Sequence, residues 1–292
     1  MSMNKLICGD SLNVMRDMPN DSVDLVFGSP PYEDARTYGI DFNLKGQDWV
    51  DWMVGIYEES IRISKGLVAF VVQGRTRKFK WSCTPALLIA DLHRAGFNVR
   101  KPVLYRRTGI PGSGGPDWLK NTFEWIVCVN SSGRLPWSDN TACGWPPKCK
   151  KVGGPVSNRF SDGSRPAYFP SMTCTSGYEN GDASWGKKRK TNSPMPKKAN
   201  PGDIVDCGAS GGGQLGSKLA HENEAPFPLK LAEFFIKSFC PPNGTTLDPF
   251  SGSGTTGHAC VLNGRNYTGI DCRQSQIKLS RKRLVAAKKE LK

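Results

Sequence analysis

The sequence lacks any apolar run of the roughly 20 residues that a membrane-spanning helix requires. Its N-terminus also lacks a basic segment followed by an apolar one, which is the pattern of a secretory signal. The ten cysteines include no Cys-x-x-Cys pair and show no repeating spacing. These absences predict a cytoplasmic protein with reduced thiols and no membrane attachment.

Metal ligands are scarce as well, since the chain has only three histidines. Four cysteines share one variable region and are the remaining candidates for a zinc site, but their spacing matches no zinc motif. We therefore expect no metal. These candidates are Cys143, Cys149, Cys174 and Cys207.

Acidic residues are outnumbered by basic ones, and the formal net charge is +14. Residues 131–220 hold 13 Lys and Arg against 6 Asp and Glu, and residues 273–292 hold 8 against 1. Charge confined to two segments indicates a surface for a polyanion, although a solvated helix face and a disordered loop would share this composition. The basic runs in the first segment lie among aromatic residues, which suits phosphate contacts and base stacking. The DNA-binding candidates are Lys187, Lys188, Arg189, Lys190, Lys197 and Lys198.

Apolar runs alternate with helical patterns over the first 130 residues. This alternation, closed by a strand pair, predicts an α/β fold with a mostly parallel sheet and an antiparallel edge. Residues 131–220 show no regular period, and regular structure returns after residue 220. The predicted strands are Lys5–Cys8, Val23–Phe27, Leu67–Val72, Phe97–Tyr105, Thr122–Asn130, Thr245–Leu247 and Asn266–Ile270. The predicted helices are Ser11–Met18 with Ser11 as N-cap, Trp49–Ser64, Pro85–Ala95, Pro226–Phe239 with prolines in its first turn, and Thr256–Leu262.

One predicted strand ends in Ser29-Pro30-Pro31-Tyr32. Two prolines cannot continue a sheet, so they fix a stiff exit at the strand's carboxyl end. In open α/β sheets that end is where ligands bind. The stretch therefore places a hydroxyl, a carbonyl and an aromatic ring on rigid backbone, although a packing turn would look the same in isolation.

A second stretch, from Asp248 to Thr255, reads Asp-Pro-Phe-Ser-Gly-Ser-Gly-Thr and follows another strand. A helix and a further strand ending in Asp271 come next, at the distance typical of an acid that binds a ribose. Gly252, Gly254 and Gly257 match G-x-G-x-x-G, so a dinucleotide oxidoreductase is a competing interpretation. Asp248 would repel a pyrophosphate, however, and suits a cationic ligand such as S-adenosylmethionine.

Taken together, the two stretches resemble those of the DNA amino-methyltransferases, which modify exocyclic amines with S-adenosylmethionine. The catalytic motif comes first, a variable region second and the cofactor motif last, which is similar to the circularly permuted β group of that family. The resemblance implies a Rossmann-like, mostly parallel seven-stranded sheet with an antiparallel edge hairpin and an irregular target-recognition insertion. It divides the chain into a catalytic part, 1–130, a target-recognition part, 131–220, and a second catalytic part, 221–292.

The resemblance also assigns site residues by position. Ser29, Pro30, Pro31 and Tyr32 match the catalytic motif. The residues that match cofactor-binding positions are Asp10, Pro226, Phe227, Asp248, Pro249, Phe250, Ser251, Gly252, Ser253, Gly254, Thr255 and Asp271.

Serine in the first catalytic position favours N4-cytosine as the target by family usage, with N6-adenine as the alternative. Methylation at cytosine C5 would need a Pro-Cys nucleophile, and the chain has only the reverse order, Cys240-Pro241. A catalytically inactive DNA-binding module and a small-molecule methyltransferase are further alternatives. The implied partner is double-stranded DNA, with a separate cognate restriction endonuclease as a further candidate, and the expected state is a monomer or homodimer.

Overall fold

The computed structural model describes residues 4–33, 42–107, 117, 119–146, 197–207, 215–222 and 225–291. The strands are β1 Asn4–Cys8, β2 Val23–Gly28, β3 Ser64–Val72, β4 Thr76–Arg77, β5 Lys80–Trp81, β6 Asn98–Arg106, β7 Phe123–Asn130, β8 Ile204–Asp206, β9 Thr245–Asp248 and β10 Asn266–Asp271. The helices are α1 Ser11–Arg16, α2 Gly46–Ile63, α3 Thr84–Arg94, α4 Leu229–Phe239, α5 Thr255–Leu262 and α6 Gln274–Glu290, with a 3-10 helix at Lys218–Glu222.

Eight strands form one sheet in the order β1-β10-β9-β2-β3-β7-β6-β8. The first five are parallel neighbours, whereas β7 runs antiparallel to both β3 and β6. The C-terminal strands β10 and β9 therefore lie between the N-terminal strands β1 and β2. Because parallel strands share their carboxyl ends, loops from distant parts of the sequence meet at one edge.

Alternating side chains of the central strands divide the core between the two faces of the sheet. In β3, Leu67, Ala69 and Val71 pack on one face with residues of α4, α5 and α6. Val68, Phe70 and Val72 pack on the other face with residues of α1, α2 and α3. Both faces are covered, which explains why the central strands are continuous apolar runs rather than alternating ones.

The antiparallel edge hairpin predicted from the sequence is present as β6 and β7. The structure differs from the prediction of seven strands by adding β8, which pairs in parallel with β6. This strand lies within residues 131–220, where no regular element is predicted. Val205 of β8 and the following Cys207 are buried in the core, but a strand of three residues is too short to show a period.

One predicted N-cap and two predicted helix starts are wrong, and helix α2 begins at Gly46 rather than at Trp49. Asp10 rather than Ser11 caps α1, because its carboxylate accepts a hydrogen bond from the Asn13 amide at 3.0 Å. Helix α4 begins at Leu229 with Pro228 as its N-cap, so the prolines precede the first turn instead of forming it.

The chain separates into two compact units, one of residues 1–143 with 201–292 and one of residues 144–200. The eight-stranded sheet and all six α-helices belong to the first unit. Of the second unit, only residues 144–146 and 197–200 are described. Within the described ranges, no helix combines the length and the apolar character that crossing a membrane demands.

Candidate active site

Four neighbouring strands bring the predicted site residues to one edge of the sheet. Asp10 follows β1, Asp271 ends β10, Asp248 ends β9 and Ser29 follows β2. The strands are adjacent in the order β1-β10-β9-β2, so these residues follow one another along the edge. Three strand spacings amount to about 14 Å. The sheet thus aligns three acids and a serine in one row, although they lie up to 261 positions apart in the sequence.

The catalytic and cofactor stretches meet at Gly28. A Cβ atom built on this glycine would lie 2.3 Å from Oδ1 of Asp248, so no side chain fits between β2 and β9 here. Gly28 immediately precedes Ser29, which places the serine next to the end of the cofactor strand. Glycine at this position is required by close approach rather than by a turn.

Asp248 is a buried carboxylic acid whose hydrogen-bond partners are uncharged. Its Oδ1 accepts from the Phe250 amide at 3.0 Å and its Oδ2 from the Thr256 hydroxyl at 2.7 Å. Burial raises the pKa of Asp248 to about 7, against the opposing effect of these two bonds. Within the described chain no cation pairs with it, so the site is poised to stabilise a positive charge supplied by a ligand.

The loop after Asp248 turns its side chains into the protein. Ser251 accepts a hydrogen bond from the Tyr267 hydroxyl at 2.8 Å. Gly254 has a φ of +80°, and a Cβ there would lie 2.3 Å from Oγ of Ser280. With its side chains and its glycines packed against β10 and α6, the loop leaves backbone to face a ligand.

Arg283 of α6 is a buried arginine that forms hydrogen bonds with the same loop. Its guanidinium donates to the hydroxyls of Ser253 at 3.2 Å and Thr255 at 2.8 Å. It also donates to the Leu215 carbonyl and to Nδ1 of His258. Burial lowers the pKa of Arg283 to about 10, so the side chain stays charged at neutral pH.

His258 completes this buried cluster as a neutral ring. Burial, followed by the nearby charge of Arg283, lowers the pKa of His258. Because Nδ1 accepts from Arg283, the ring hydrogen lies on Nε2, which is 3.4 Å from Glu290. His258 therefore supports Arg283 within the buried cluster.

The two remaining acids, Asp271 and Asp10, accept hydrogen bonds from backbone amides. Asp271 accepts from the Gly252 amide at 2.9 Å and from the Arg273 amide at 2.9 Å, which ties the loop to the end of β10. Asp10 is exposed and caps α1. The neighbouring Ser11 hydroxyl donates to the Pro249 carbonyl, so the first helix is fastened to the cofactor stretch.

Aromatic rings flank this row on both faces of the sheet. Phe250 lies 5.7 Å from the Trp52 ring and 5.9 Å from the Phe70 ring, measured between centroids. Phe227, next to Pro226 and ahead of α4, packs edge-on against Phe27 at 5.6 Å. Both predicted aromatic positions are half-buried at the edge of the core.

A chain of polar contacts holds the catalytic stretch. The Ser29 hydroxyl lies 3.3 Å from the Val71 carbonyl and 3.4 Å from the Tyr32 hydroxyl. Tyr32 donates to Glu124 of β7 at 2.8 Å, and Glu124 accepts from Arg107 at 2.7 Å. The tyrosine ring is therefore fixed by the antiparallel edge of the sheet.

The structure describes only some of the remaining sequence candidates. Lys187, Lys188, Arg189 and Lys190 lie outside the described residues, and so do Cys149 and Cys174. Lys197 and Lys198 are exposed in the second compact unit. Burial raises the pKa of the Cys207 thiol to about 12, and no group of three potential metal ligands occurs among the described residues.

The structure adds site residues that are not among the sequence candidates, notably Arg283, Glu124 and Arg107. Arg283 lies on a helical stripe with Ile277 and Leu284, and a charged residue on such a buried face is a readable signal. Glu124 and Arg107 carry no such signal, because their partner Tyr32 is 92 positions from Glu124.

Comparisons with known proteins agree with this geometry. A family model described as DNA methylase (N6_N4_Mtase) matches residues 23–282. The Type II methyltransferase M.PvuII of Proteus hauseri is 25% identical over an alignment of 302 residues that covers 96% of this chain and 83% of that protein. The DNA adenine methyltransferase YhdJ of Escherichia coli K12 is 22% identical over 299 residues, covering 97% of this chain and 83% of YhdJ.

Solved structures share the fold. The PvuII DNA methyltransferase, described as cytosine-N4-specific, superposes with a TM-score of 0.66 at 19% identity, covering 97% of this chain and 86% of that one. The Thermus thermophilus protein TTHA0409, solved with S-adenosyl-L-methionine, gives 0.56 at 19% identity, covering 98% and 96%. The family match spans most of the chain, so this protein belongs to the N6/N4 DNA methylases, DNA methyltransferases whose cofactor is S-adenosylmethionine.

Proposed function

We propose that this chain transfers the methyl group of S-adenosylmethionine to the exocyclic N4 amine of a cytosine flipped out of duplex DNA. The observation that carries the proposal is the contact between Gly28 and Asp248, which sets Ser29 beside the cofactor strand. A base amine hydrogen-bonded to Ser29 would then face the methyl donor. The target base must leave the helix because its amine is not accessible in a stacked pair.

The loop residues fit this cofactor. Asp248 is a buried acid without a cationic partner in the described chain, and S-adenosylmethionine carries positive charges. When bound, the cofactor supplies a methyl group that is activated by its sulfonium. Asp248 would bind its cationic end, the Gly252–Gly254 backbone its middle, and Asp271 and Asp10 its ribose and adenine. Phe250, Pro226 and Phe227 would flank it.

The catalytic stretch would orient the target amine. That amine is a poor nucleophile because its lone pair is delocalised into the ring, and hydrogen bonds that orient it favour attack. The single hydroxyl hydrogen of Ser29 can be donated to Val71 or Tyr32, which leaves the Oγ lone pairs to accept from the amine. The Pro30 carbonyl would accept the second amine hydrogen. Tyr32, held by Glu124, would stack on the base.

Cytosine is proposed over adenine because of Ser29 and the shared fold with the cytosine-N4-specific PvuII enzyme. Adenine is the second candidate, since the relative YhdJ is named as an adenine enzyme. The test is to methylate plasmid DNA with the purified protein and sequence it by a method that distinguishes modified bases. N4-methylcytosine is the expected product, and N6-methyladenine would refute the choice of base.

Replacing the serine tests its role. Ser29→Ala should lower kcat by roughly 100-fold or more, the usual cost of removing an oriented transition-state hydrogen bond. The dissociation constant of S-adenosylmethionine, measured by calorimetry, should stay within about twofold because the cofactor loop is intact. Ser22→Ala, at the opposite end of β2, is the matched control. Equal losses of turnover and cofactor affinity would contradict the assignment.

Residues 131–220 are proposed as the target-recognition region between the two catalytic parts, 1–130 and 221–292. Lys187, Lys188, Arg189, Lys190, Lys197 and Lys198 are its proposed DNA contacts. The cognate restriction endonuclease, the monomeric or homodimeric state and the cytoplasmic location stay predictions from the sequence.

A further inference from the structure

A short hairpin follows β3 at the same sheet edge as the catalytic stretch. β4 and β5 pair antiparallel and leave Lys78 and Phe79 as a two-residue turn. β3 is parallel to β2, so the hairpin emerges next to the strand end that carries Ser29. It belongs to neither of the two charge-rich segments of the sequence.

The base of the hairpin is fastened to the catalytic stretch through Glu33, the residue after Tyr32. The Glu33 side chain is buried and accepts from the Arg75 amide at 3.4 Å and from the Thr84 hydroxyl at 3.0 Å. At the base of the hairpin, the Ser82 amide donates a hydrogen bond to the Arg75 carbonyl at 2.9 Å. The hairpin is therefore an ordered continuation of the site.

The tip presents an aromatic ring in a strained turn. Lys78 and Phe79 have φ values of 46° and 63°, in the left-handed region that turns of this kind usually fill with Asn and Gly. The Phe79 side chain is 69% exposed. An aromatic ring with most of its surface in solvent, on a backbone conformation that side chains rarely adopt, is accessible to a ligand that approaches this edge of the sheet.

The flanks of the hairpin are basic. Arg77, Lys78 and Lys80 are exposed, and a cleft of about 230 Å³ lies beneath them. The carboxylate in that cleft already accepts hydrogen bonds from the backbone and a hydroxyl. Cations beside an exposed aromatic ring match a phosphate backbone with a stacked base. The cleft is lined by Glu33, Lys45, Arg75, Arg77, Lys80 and Ser82.

We propose that the hairpin of residues 76–81 is a second DNA-binding element that acts at the point of base flipping. Arg77, Lys78 and Lys80 bind phosphates that flank the target, and Phe79 contacts the bases that the flipped nucleotide leaves behind. The inference rests on the proposed function, because DNA must approach this edge for its amine to reach Ser29. An inserted aromatic side chain offsets part of the cost of unstacking the target.

The first experiment tests Phe79 on two substrates that contain the methylation site found with wild-type enzyme. Phe79→Ala should lower kcat on a fully paired duplex by roughly tenfold, the lower range of what base–aromatic stacking contributes. On a duplex whose target base lies opposite an abasic site, the loss should shrink to within about twofold, because less unstacking is required. Cofactor affinity should not change. An equal loss on both substrates would overturn the role of Phe79.

The second experiment tests the charges. In the triple variant Arg77→Gln, Lys78→Gln and Lys80→Gln, the slope of log Kd against log salt should fall by roughly 0.9 for each phosphate that the protein no longer neutralises, measured by fluorescence anisotropy on duplex DNA. The control removes three exposed charges at the amino-end edge of the sheet and should retain the wild-type slope. That control is Lys5→Gln, Lys65→Gln and Arg94→Gln.

The two proposals fail in different ways. A wild-type enzyme that binds duplex DNA but transfers no methyl group to it would contradict the proposed function. An active enzyme whose salt slope is the same in the hairpin variant and the wild type would overturn the hairpin inference alone.

Discussion

The ionisation state of Asp248 determines whether the site can offer a negative charge to a cationic cofactor. Burial raises the pKa of Asp248 to about 7, so below that pH the group is largely neutral and offers no charge to a cationic ligand. We therefore expect the affinity for S-adenosylmethionine to rise with pH up to about 7, by at most about tenfold per pH unit. Calorimetry between about pH 5.5 and pH 8, an interval that includes that pKa, measures this dependence.

The variant Asp248→Asn should bind the cofactor more weakly and lose most of the rise with pH. Asp51→Asn, on the exposed side of α2, should keep the wild-type profile. A pH profile that is the same in Asp248→Asn and the wild type would show that another group titrates.

The site residues that the sequence predicts are those whose chemistry is local. Ser29 and Asp248 each follow a predicted strand and belong to a short motif, so residue type and position can both be identified from the sequence. Their supports are not local: Glu124 reaches Tyr32 across 92 positions, and Arg283 reaches Thr255 across 28. Such contacts depend on the order of strands, which no single stretch of sequence encodes.

Helix α6 is the element that shapes the cofactor loop from outside the motif. Arg283 is fully buried and donates to Ser253, Thr255 and Leu215 at once. Lysine keeps the charge but lacks the planar fork, so it cannot make these bonds together. Arg283→Lys should weaken cofactor binding by roughly tenfold or more, since hydrogen bonds to charged groups contribute about 1.5–3 kcal/mol each.

Separate binding assays distinguish this positioning role from general damage to the fold. Calorimetry with S-adenosylmethionine should show the loss, whereas affinity for duplex DNA should stay within about twofold of wild type if Arg283 acts on the loop alone. Arg281→Lys, exposed on the same helix, is the matched control. A cofactor affinity equal to wild type would show that the loop holds its shape without Arg283.

The strands that the sequence predicts lie close to their observed bounds, whereas β8 and α6 are not predicted. β8 has three residues and α6 carries basic side chains around a narrow buried stripe. Capping is equally hard to predict, because Asp10 and Ser11 are both good N-cap residues. The structure decides between them by giving Ser11 a partner in Pro249, 238 positions away.

For the molecule as a whole, strands from both ends of the described chain share one sheet. β1 pairs with β10 and β2 pairs with β9, so the catalytic and cofactor motifs lie at the ends of neighbouring strands. The row Asp10, Asp271, Asp248 and Ser29 follows only when the strand order is known. The fold class could thus be predicted from the sequence, whereas the arrangement of the site residues in one row could not.

The location of the net charge of +14 leads to a prediction for the whole molecule. If the run Lys187–Lys190 binds phosphates, replacing its four residues by glutamine should lower the salt slope of DNA binding by roughly 0.9 for each phosphate left without its cation. Weaker binding without a change of slope would not support phosphate contacts by this run, because the slope depends on the number of counterions released. Four neutral substitutions at Lys5, Lys65, Arg94 and Lys237 give the matched control. If both variants show the wild-type slope, the run does not contact the backbone, and the cations that bind DNA must lie elsewhere in the chain.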